Sequence, residues 1–418
     1  MTWTQQVQGP VFRPGDREFD EETSGFQTAY KHRPAYVVAA TGADDVRKAL
    51  TGAGGLPVAV QATGHGRTVP LDGGVLISTR RMTGLRVDPG RRSAWIEAGV
   101  RWQQVITAAA EHGLAPLSGS APEVGVVGYI LGGGLGVLAR RYGYAADHVS
   151  SIDVAAADGS LRHVTADDDP DLFRELRGAG HGLGVVTAME IGLVPVTRLY
   201  GGGLYVDSPH VPELLEVYRD WTADLPDELT SSVALIPYPD MAGVPELLRG
   251  RYAAHVRIAF AGPTAQGERL VAPLRAAVPL LRDTLAELPF TQSASIYNDP
   301  AWPHSYGGTN AMLRELDPTV LRDIVELAGP GAPVPCIVQL NHMGGALARP
   351  PAVPNAVGHR DAAYLVRVLS VLGDPAAASR AHGRLLDALA PWTVGRSRNF
   401  LFGQPWADQA GAVVSGTA

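Results

Sequence analysis

The stretch VAVQATGHGRTVPLDGG, residues 58–74, places His65 between two glycines just after an apolar run. Val58-Ala59-Val60 reads as a short buried strand that Thr63-Gly64 breaks, so His65 falls on a turn. There the backbone can come very close to another molecule. The alternative is a turn histidine hydrogen-bonded to its own loop. A second stretch, SGSAPEVGVVGYILGGGLGVLARRYGYAADHV (118–149), carries Gly125, Gly128, Gly132, Gly133, Gly134 and Gly136. Bare backbone amides of this kind suit a pyrophosphate, because their dipoles face the oxygens without obstruction from side chains. A nicotinamide-binding unit would place G-x-G-x-x-G after the first strand, with an acid about 20 residues on. These glycines lie far into the chain with no such unit around them, which argues against that reading. In CIVQLNHMGGA, Gln339 and Asn341 alternate and so share one sheet face, while His342 points the other way. Their amides suit orienting a polar substrate. The stretch YNDPAWPHSYGG adds Tyr297, His304 and Tyr306 on a loop-like segment able to cover a pocket. Of these, Tyr306 and His304 are the leading candidates for a proton acceptor.

The elements that must hold these residues differ between the two halves of the chain. Up to residue 196, short strands alternate with helices: strands at Tyr36 to Ala40, Val58 to Gln61, Val75 to Ser78, Leu85 to Asp88 and Ala94 to Ala98. A helix over 44–50 follows Thr41 as N-cap. Another over 101–112 sets Trp102, Val105, Ile106 and Ala109 on one face and ends at Gly113. Ile152 to Ala156 and Leu161 to Val164 flank the turn Asp158-Gly159, a helix covers 171–176 and a long strand 184–196. Beyond Pro195 the spacing predicts strands at 204–206, 233–236, 254–260, 293–297 and 336–341. Helices are expected at 211–222, 265–286, 318–327, 360–372 and 375–389. The expected fold class is α+β, with a mostly antiparallel sheet flanked by helices in the second half. The tail after Gly403 is weakly patterned.

Composition narrows the function. The chain has 418 residues, 45% of them hydrophobic, enough for a large core and two domains. Its net charge of -7, from 35 basic and 42 acidic side chains, and its lack of a Lys/Arg cluster argue against a nucleic-acid partner. No apolar run is long enough for a membrane helix, and the N-terminus has no charged-then-apolar signal. A cytoplasmic protein is the simplest expectation. The single cysteine, Cys336, excludes an internal disulfide framework, and no metal site is expected.

Five ordered blocks resemble the FAD-binding domain of the vanillyl-alcohol-oxidase superfamily (the PCMH-type domain), closest to its berberine-bridge-enzyme-like oxidoreductases. They are RPAYVVAATGADDV (33–46), the Gly64-His65 turn, GSAPEVGVVGYILGGGLGVLARRYG (119–143), IDVAAADG (152–159) and PDLFRELRGAGHGLGVVTAMEIGL (170–193). Weaker similarity runs through LNHMGGALARP and HRDAAY to RNFLF. The resemblance implies an FAD-binding domain over 1–196, a substrate domain over 197–390 and a short C-terminal return over 391–418. It also implies FAD bonded from the 8α-methyl of its ring to an imidazole nitrogen of His65, which would raise the flavin potential. The cofactor would rest on Val60, Gln61, Ala62, Thr63, Gly64, His65, Gly66 and Arg67, and on Gly119, Ser120, Ala121, Val124, Gly125, Gly128, Tyr129 and Gly133. Gly184, Val185, Val186 and Asn399 would complete its site.

Three positions depart from the family. Ala121 stands where many relatives carry a cysteine bonded to flavin C6, so one link is expected. Gly182-Leu183 replaces a usual Asn-Phe. Ser397 stands where sugar oxidases carry the tyrosine base of a Tyr-x-Asn-Tyr/Phe motif. The implied catalytic set is therefore Tyr306, His304, Gln339 and Asn341, with Asn399 at the flavin's pyrimidine edge or a nearby strand. His359-Arg360 matches a pair expected to be structural. The implied function is an FAD-dependent oxidase or dehydrogenase moving hydride from a small secondary metabolite to flavin N5, with antibiotic biosynthesis as the expected setting and O2 as a candidate acceptor. The alternatives are a sugar or alditol oxidase and a non-redox flavoprotein that sequesters a drug-like compound.

Overall fold

The computed structural model describes residues 2–179 and 182–403; the tail after Gly403 lies outside the described residues. The chain forms a mixed α+β fold built on three sheets. In the first, Tyr36–Ala39 and Val58–Gln61 run parallel to Val75–Ser78, with Val11–Phe12 antiparallel at the edge. The helix Ala43–Gly52 packs Val46, Ala49 and Leu50 into the core of this sheet. Its N-cap is Gly42, not Thr41. Thr41 instead donates from both its backbone N (2.9 Å) and its Oγ1 (2.7 Å) to Asp45 Oδ2. The second sheet orders Leu85–Asp88, Ser93–Glu97, Val185–Val194, Val149–Ala155 and Leu161–Val164, all antiparallel. The helix Trp102–Ala110 buries Trp102, Val105, Ile106 and Ala109, as their spacing predicts.

The third sheet dominates the second half. Its antiparallel order is Leu280–Asp283, Arg198–Asp207, Tyr252–Phe260, Leu229–Pro237, Ile337–His342, Tyr364–Val371, Tyr306–Leu313 and Thr393–Gly395. Strand alternation divides its side chains between two faces. Leu204, Val206, Val233, Leu235, Val256, Val338, Leu340 and Val366 form the apolar back face. Against it pack the helices Val211–Thr222, Thr264–Ala277, Pro318–Ala328 and Pro375–Leu389, the first through Val211, Leu214, Leu215 and Tyr218. On the front face Gln339, Asn341, His255 and Arg257 form a polar row, while Met312 and Leu365 pack against Ala139 and Leu347 of short helices. Among the described residues no helix is long and apolar enough to cross a membrane.

Four expected elements differ. The helix 265–286 stops at Ala277, because Pro279 forces Val278 into extended backbone (φ -143°, ψ 157°). The chain after it forms the strands Leu280–Asp283 and Ala286–Pro289. The strand 293–297 is instead part of the 3₁₀ helix Phe290–Ile296, whose buried Phe290, Ser293 and Ile296 recur every three residues. The helix 360–372 is a strand, Tyr364–Val371: a short apolar run buried on both sides carries no period to separate the two. Tyr306 lies on the strand Tyr306–Leu313, whose Gly307 and Gly308 weaken the strand signal.

Several histidines are buried and neutral. Burial lowers His32 to about 4, helped by Arg67, and His342 to about 3, helped by Arg140. Burial alone lowers His382 to about 4. His342 Nε2 pairs with the Arg140 guanidinium (2.9 Å) and His382 Nε2 with Ser370 Oγ (3.0 Å). An unfolded imidazole titrates near ~6.5, so below that pH the unfolded chain binds more protons than the folded one. Stability should be full above this value and fall as pH drops towards the folded values. Thermal scans should give a flat Tm from pH 7 to 8.5 and a decline already between pH 6.5 and 5, before most carboxylates protonate. A flat Tm through that window would refute the assignment.

Candidate functional site

The turn that carries His65 is held from beneath. Phe26 N donates to Thr63 O (3.0 Å) and Gln27 N to Gly64 O (3.1 Å). Gly64 has φ +71°, and a Cβ there would lie 2.8 Å from Gly25 Cα. Only glycine fits this crossing. Arg67 donates to Thr23 O (2.9 Å), Tyr30 O (3.1 Å) and Gln61 Oε1, and Gln61 Nε2 donates to Ser24 O (2.7 Å). His65 stacks on Phe26, with ring centroids 3.9 Å apart and planes 12° apart. Its Nδ1 shares a hydrogen bond with Thr63 Oγ1 (2.9 Å). Its Nε2 is buried with no hydrogen-bond partner among the described residues. Burial, with Arg101 and His304 nearby, lowers the imidazole to about 4 and keeps it neutral.

Beside the turn, Gly125 caps the short helix Val126–Leu131, and the chain doubles back through Gly133 (φ +109°) and Gly134 (φ +81°). Nothing lies within 4 Å of a Cβ built on Gly128, so its backbone is bare, whereas one on Gly136 would fall 2.3 Å from Ser118 O. Asn399 ties off this loop: its Nδ2 donates to Tyr129 O (2.8 Å) and its Oδ1 accepts from Gly134 N (2.8 Å).

Turn, glycine loop and front face of the large sheet enclose one cavity of about 1520 Å³. That exceeds the roughly 300–1,000 Å³ of a single small-ligand pocket. Every cofactor position expected from the sequence lines it except Gly133. Gly133 turns away, its N donating to Ile130 O (2.8 Å) and its O accepting from Ala146 N (2.9 Å). Gly132 and Gly136 line the cavity in that part of the loop. Gln339, Asn341, His304 and Tyr306 also line it. Gln339 Nε2 donates to Asn341 Oδ1 (3.0 Å). Tyr306 Oη donates to the His65 carbonyl (2.6 Å), and burial pushes its phenol above the ordinary range. His304 Nδ1 bonds Trp302 O (2.9 Å), and no partner of its Nε2 is seen among the described residues. Ser397 does not line the cavity; its backbone N and O pair with Asn310. Arg360 pairs with Asp147 (2.6 Å), a structural contact.

Residues 34–165 match an FAD binding domain family. The chain is 33% identical over 212 residues to (R)-6-hydroxynicotine oxidase of Paenarthrobacter nicotinovorans, a match covering 50% of this chain and 46% of that protein. It therefore spans about half the length of that relative. The chain thus carries an FAD binding domain and is similar to proteins named FAD-linked oxidoreductases. Its fold is that of a berberine-bridge-enzyme-like protein of Physcomitrella patens (TM-score 0.82, 17% identity, covering 96% of this chain and 91% of that one). It is equally that of a xylooligosaccharide oxidase from Myceliophthora thermophila (TM-score 0.84, 19% identity, 99% and 92%).

Among the cavity residues that the sequence reading missed are Phe26, His255, Arg257 and Arg367. His255 and Arg257 sit two apart in the apolar strand AAHVRIAF, and that alternation places them on the front face. Arg367 was hidden by the helix expected over 360–372. Phe26 lies in a segment with no period to read.

The crossing at Gly64 yields a direct test. Gly64→Ala combines a left-handed backbone with a backbone clash and should cost about 1–3 kcal/mol. Gly66→Ala, where nothing lies within 4 Å, should cost almost nothing. Denaturant midpoints of the two variants decide, and equal stabilities would count against the crossing.

Proposed function

We propose that the chain is an FAD-dependent oxidoreductase that oxidises a small molecule held between the bound flavin and the front face of the large sheet, with the flavin bonded to His65. The observation that carries this reading is the buried, unpartnered Nε2 of His65 at the cavity wall. With Nδ1–H donating to Thr63, Nε2 keeps its lone pair, and the lowered basicity of the ring leaves that nitrogen unprotonated at neutral pH. A buried imidazole nitrogen without a partner, on a residue that lines the cavity, is costly unless something bonds to it. The 8α-methyl of FAD, implied by the resemblance, is that something.

The bare amides of Gly125 to Gly136 and of Gly184 to Val186 suit the pyrophosphate and the rest of the cofactor. The flavin, when bound, supplies the acceptor for hydride at N5. The protein's own groups do the rest. Gln339 and Asn341 orient the polar end of the substrate. Tyr306, protonated and bonded to the His65 carbonyl, fixes the turn against the sheet. His304, whose Nδ1 is occupied by a carbonyl, offers Nε2 to take the substrate's proton. No tyrosine stands at position 397, which weakens the sugar-oxidase reading.

Denatured, acid-precipitated protein should stay yellow and carry the added mass of one FAD. His65→Ala should lose the covalent fraction and retain some dissociable flavin. Complete release of flavin from the denatured wild type would sink the linkage.

Ser397→Ala should change turnover by less than twofold, since the side chain lies off the cavity. A several-hundredfold loss, about 3.5 kcal/mol of transition-state stabilisation, would give Ser397 a direct role.

A further inference from the structure

The substrate side of the cavity has an unusual charge pattern. Arg257, Arg282, Arg367 and Arg398 line the cavity together with the loop-bound Arg67, against one lining carboxylate, Asp299. Asp299 already accepts from Ser120 Oγ (2.5 Å). Arg257 and Arg367 stand on the front face of the sheet, and strand pairing places Arg367 directly beside Gln339. Arg257 reaches across the neighbouring strand to donate from Nη1 to Gln339 Oε1 (2.7 Å) and, through Nε, to His255 Nδ1 (3.2 Å). Gln339 thus accepts from Arg257 and is the strand neighbour of Arg367. Neither arginine has an ion-pair partner among the described residues. Arg257 lies 4.7 Å from the Tyr297 ring centroid and Arg367 3.7 Å from that of Phe400.

Charges drawn into a protein are ordinarily paired, because removing them from water is costly. Both cations touch aromatic faces or neutral acceptors; Asp299 attracts Arg367 but forms no ion pair with it and is bonded to Ser120, so the compensation is incomplete. Stacking on Phe400 leaves the Arg367 fork free, and Arg257 keeps Nη2 beyond the Nη1 and Nε it gives to Gln339 and His255; guanidinium N–H groups so placed match a carboxylate. The cavity rim is apolar and wet: Met241, Trp302 and Val371 line it while 54%, 62% and 67% exposed. Exposed apolar side chains gathered at a cavity mouth mark a surface that an apolar ligand covers.

We propose that the substrate is a carboxylic acid with an apolar or aromatic body, its carboxylate held by Arg257 and Arg367 across Gln339 and its body against the rim. This rests on the reading that the cavity holds FAD and that the front face is its substrate side. The same field opposes a protonated amine.

The test uses flavin-loaded protein titrated by calorimetry with 2-naphthoate, 2-naphthamide and 2-naphthylmethylamine, while the flavin spectrum is recorded in parallel. Naphthoate should bind at least tenfold more tightly than the amide, and the amine should bind weakest. Arg257→Gln and Arg367→Gln should each weaken naphthoate at least tenfold with flavin content and amide binding unchanged. Arg257→Lys and Arg367→Lys, which keep the charge in case the glutamine variants do not fold, should bind naphthoate several-fold more weakly yet still prefer it to the amide. Equal affinity for acid and amide would overturn the proposal. So would variants that bind naphthoate like wild type, including an Arg367→Gln that only shifts the flavin potential. Protein without flavin that still selects the acid through these arginines would uphold the anion site and remove the FAD reading instead.

Discussion

Three residues near the N-terminus, Phe26, Gln27 and Thr28, hold the turn and the large sheet at a fixed separation. On one side, Phe26 N and Gln27 N bond the carbonyls of Thr63 and Gly64. On the other, Thr28 N bonds His304 O (3.1 Å), His304 N bonds Phe26 O (3.1 Å) and the buried Gln27 side chain bonds Tyr306 O. The imidazole of His65 and the polar groups Gln339 and Asn341 on the sheet belong to parts of the chain more than two hundred residues apart. Their separation would otherwise depend on loose loops. A short extended segment paired on both edges fixes it with backbone hydrogen bonds, the least deformable links available. Phe26 adds a flat ring under His65, so the same segment sets both the height and the tilt of the imidazole.

How much of this could be read from the sequence follows from how local each signal is. The Gly64-His65 turn and the glycine loop are legible because they depend on backbone conformations that few other residues permit. Gln339 and Asn341 are legible because two alternating amides in an apolar strand announce a face. Arg367 carries the same kind of signal, but YLVRVLSV is buried on both sides and its period is lost. Arg257 lies on a strand that the sequence does reveal, yet its importance rests on a neighbour two strands away, Gln339, and no local pattern contains that. Phe26 and Gln27 matter only through partners distant in the chain. Gly133 shows the opposite limit: its residue type was informative about the bend, but not about which way the bent backbone faces.

Neutral histidines and cationic arginines coexist here by the same physics. Burial strips water from both, and the imidazole responds by losing its proton while the guanidinium keeps its charge. His255, stacked 4.1 Å over Tyr205 and pushed well below its ordinary range by burial and by Arg257 and Arg282, can therefore accept a hydrogen bond from Arg257 and not repel it. Asn399 plays a comparable part on the other wall, where one amide satisfies a carbonyl and an N–H of the glycine loop at once.

The two faces of the large sheet have different freedoms to vary. Helices cover the back, so a change of volume there is felt throughout the core. Part of the front faces the cavity, and there a side chain at 255, 257, 339 or 367 borders what enters from outside. A lineage, or a protein engineer, can thus rewrite ligand preference at positions such as 255, 257, 339 and 367 without asking the helices to repack. Inserting or deleting one residue in the same strands has no such licence, for it turns the polar row inward and the apolar row out.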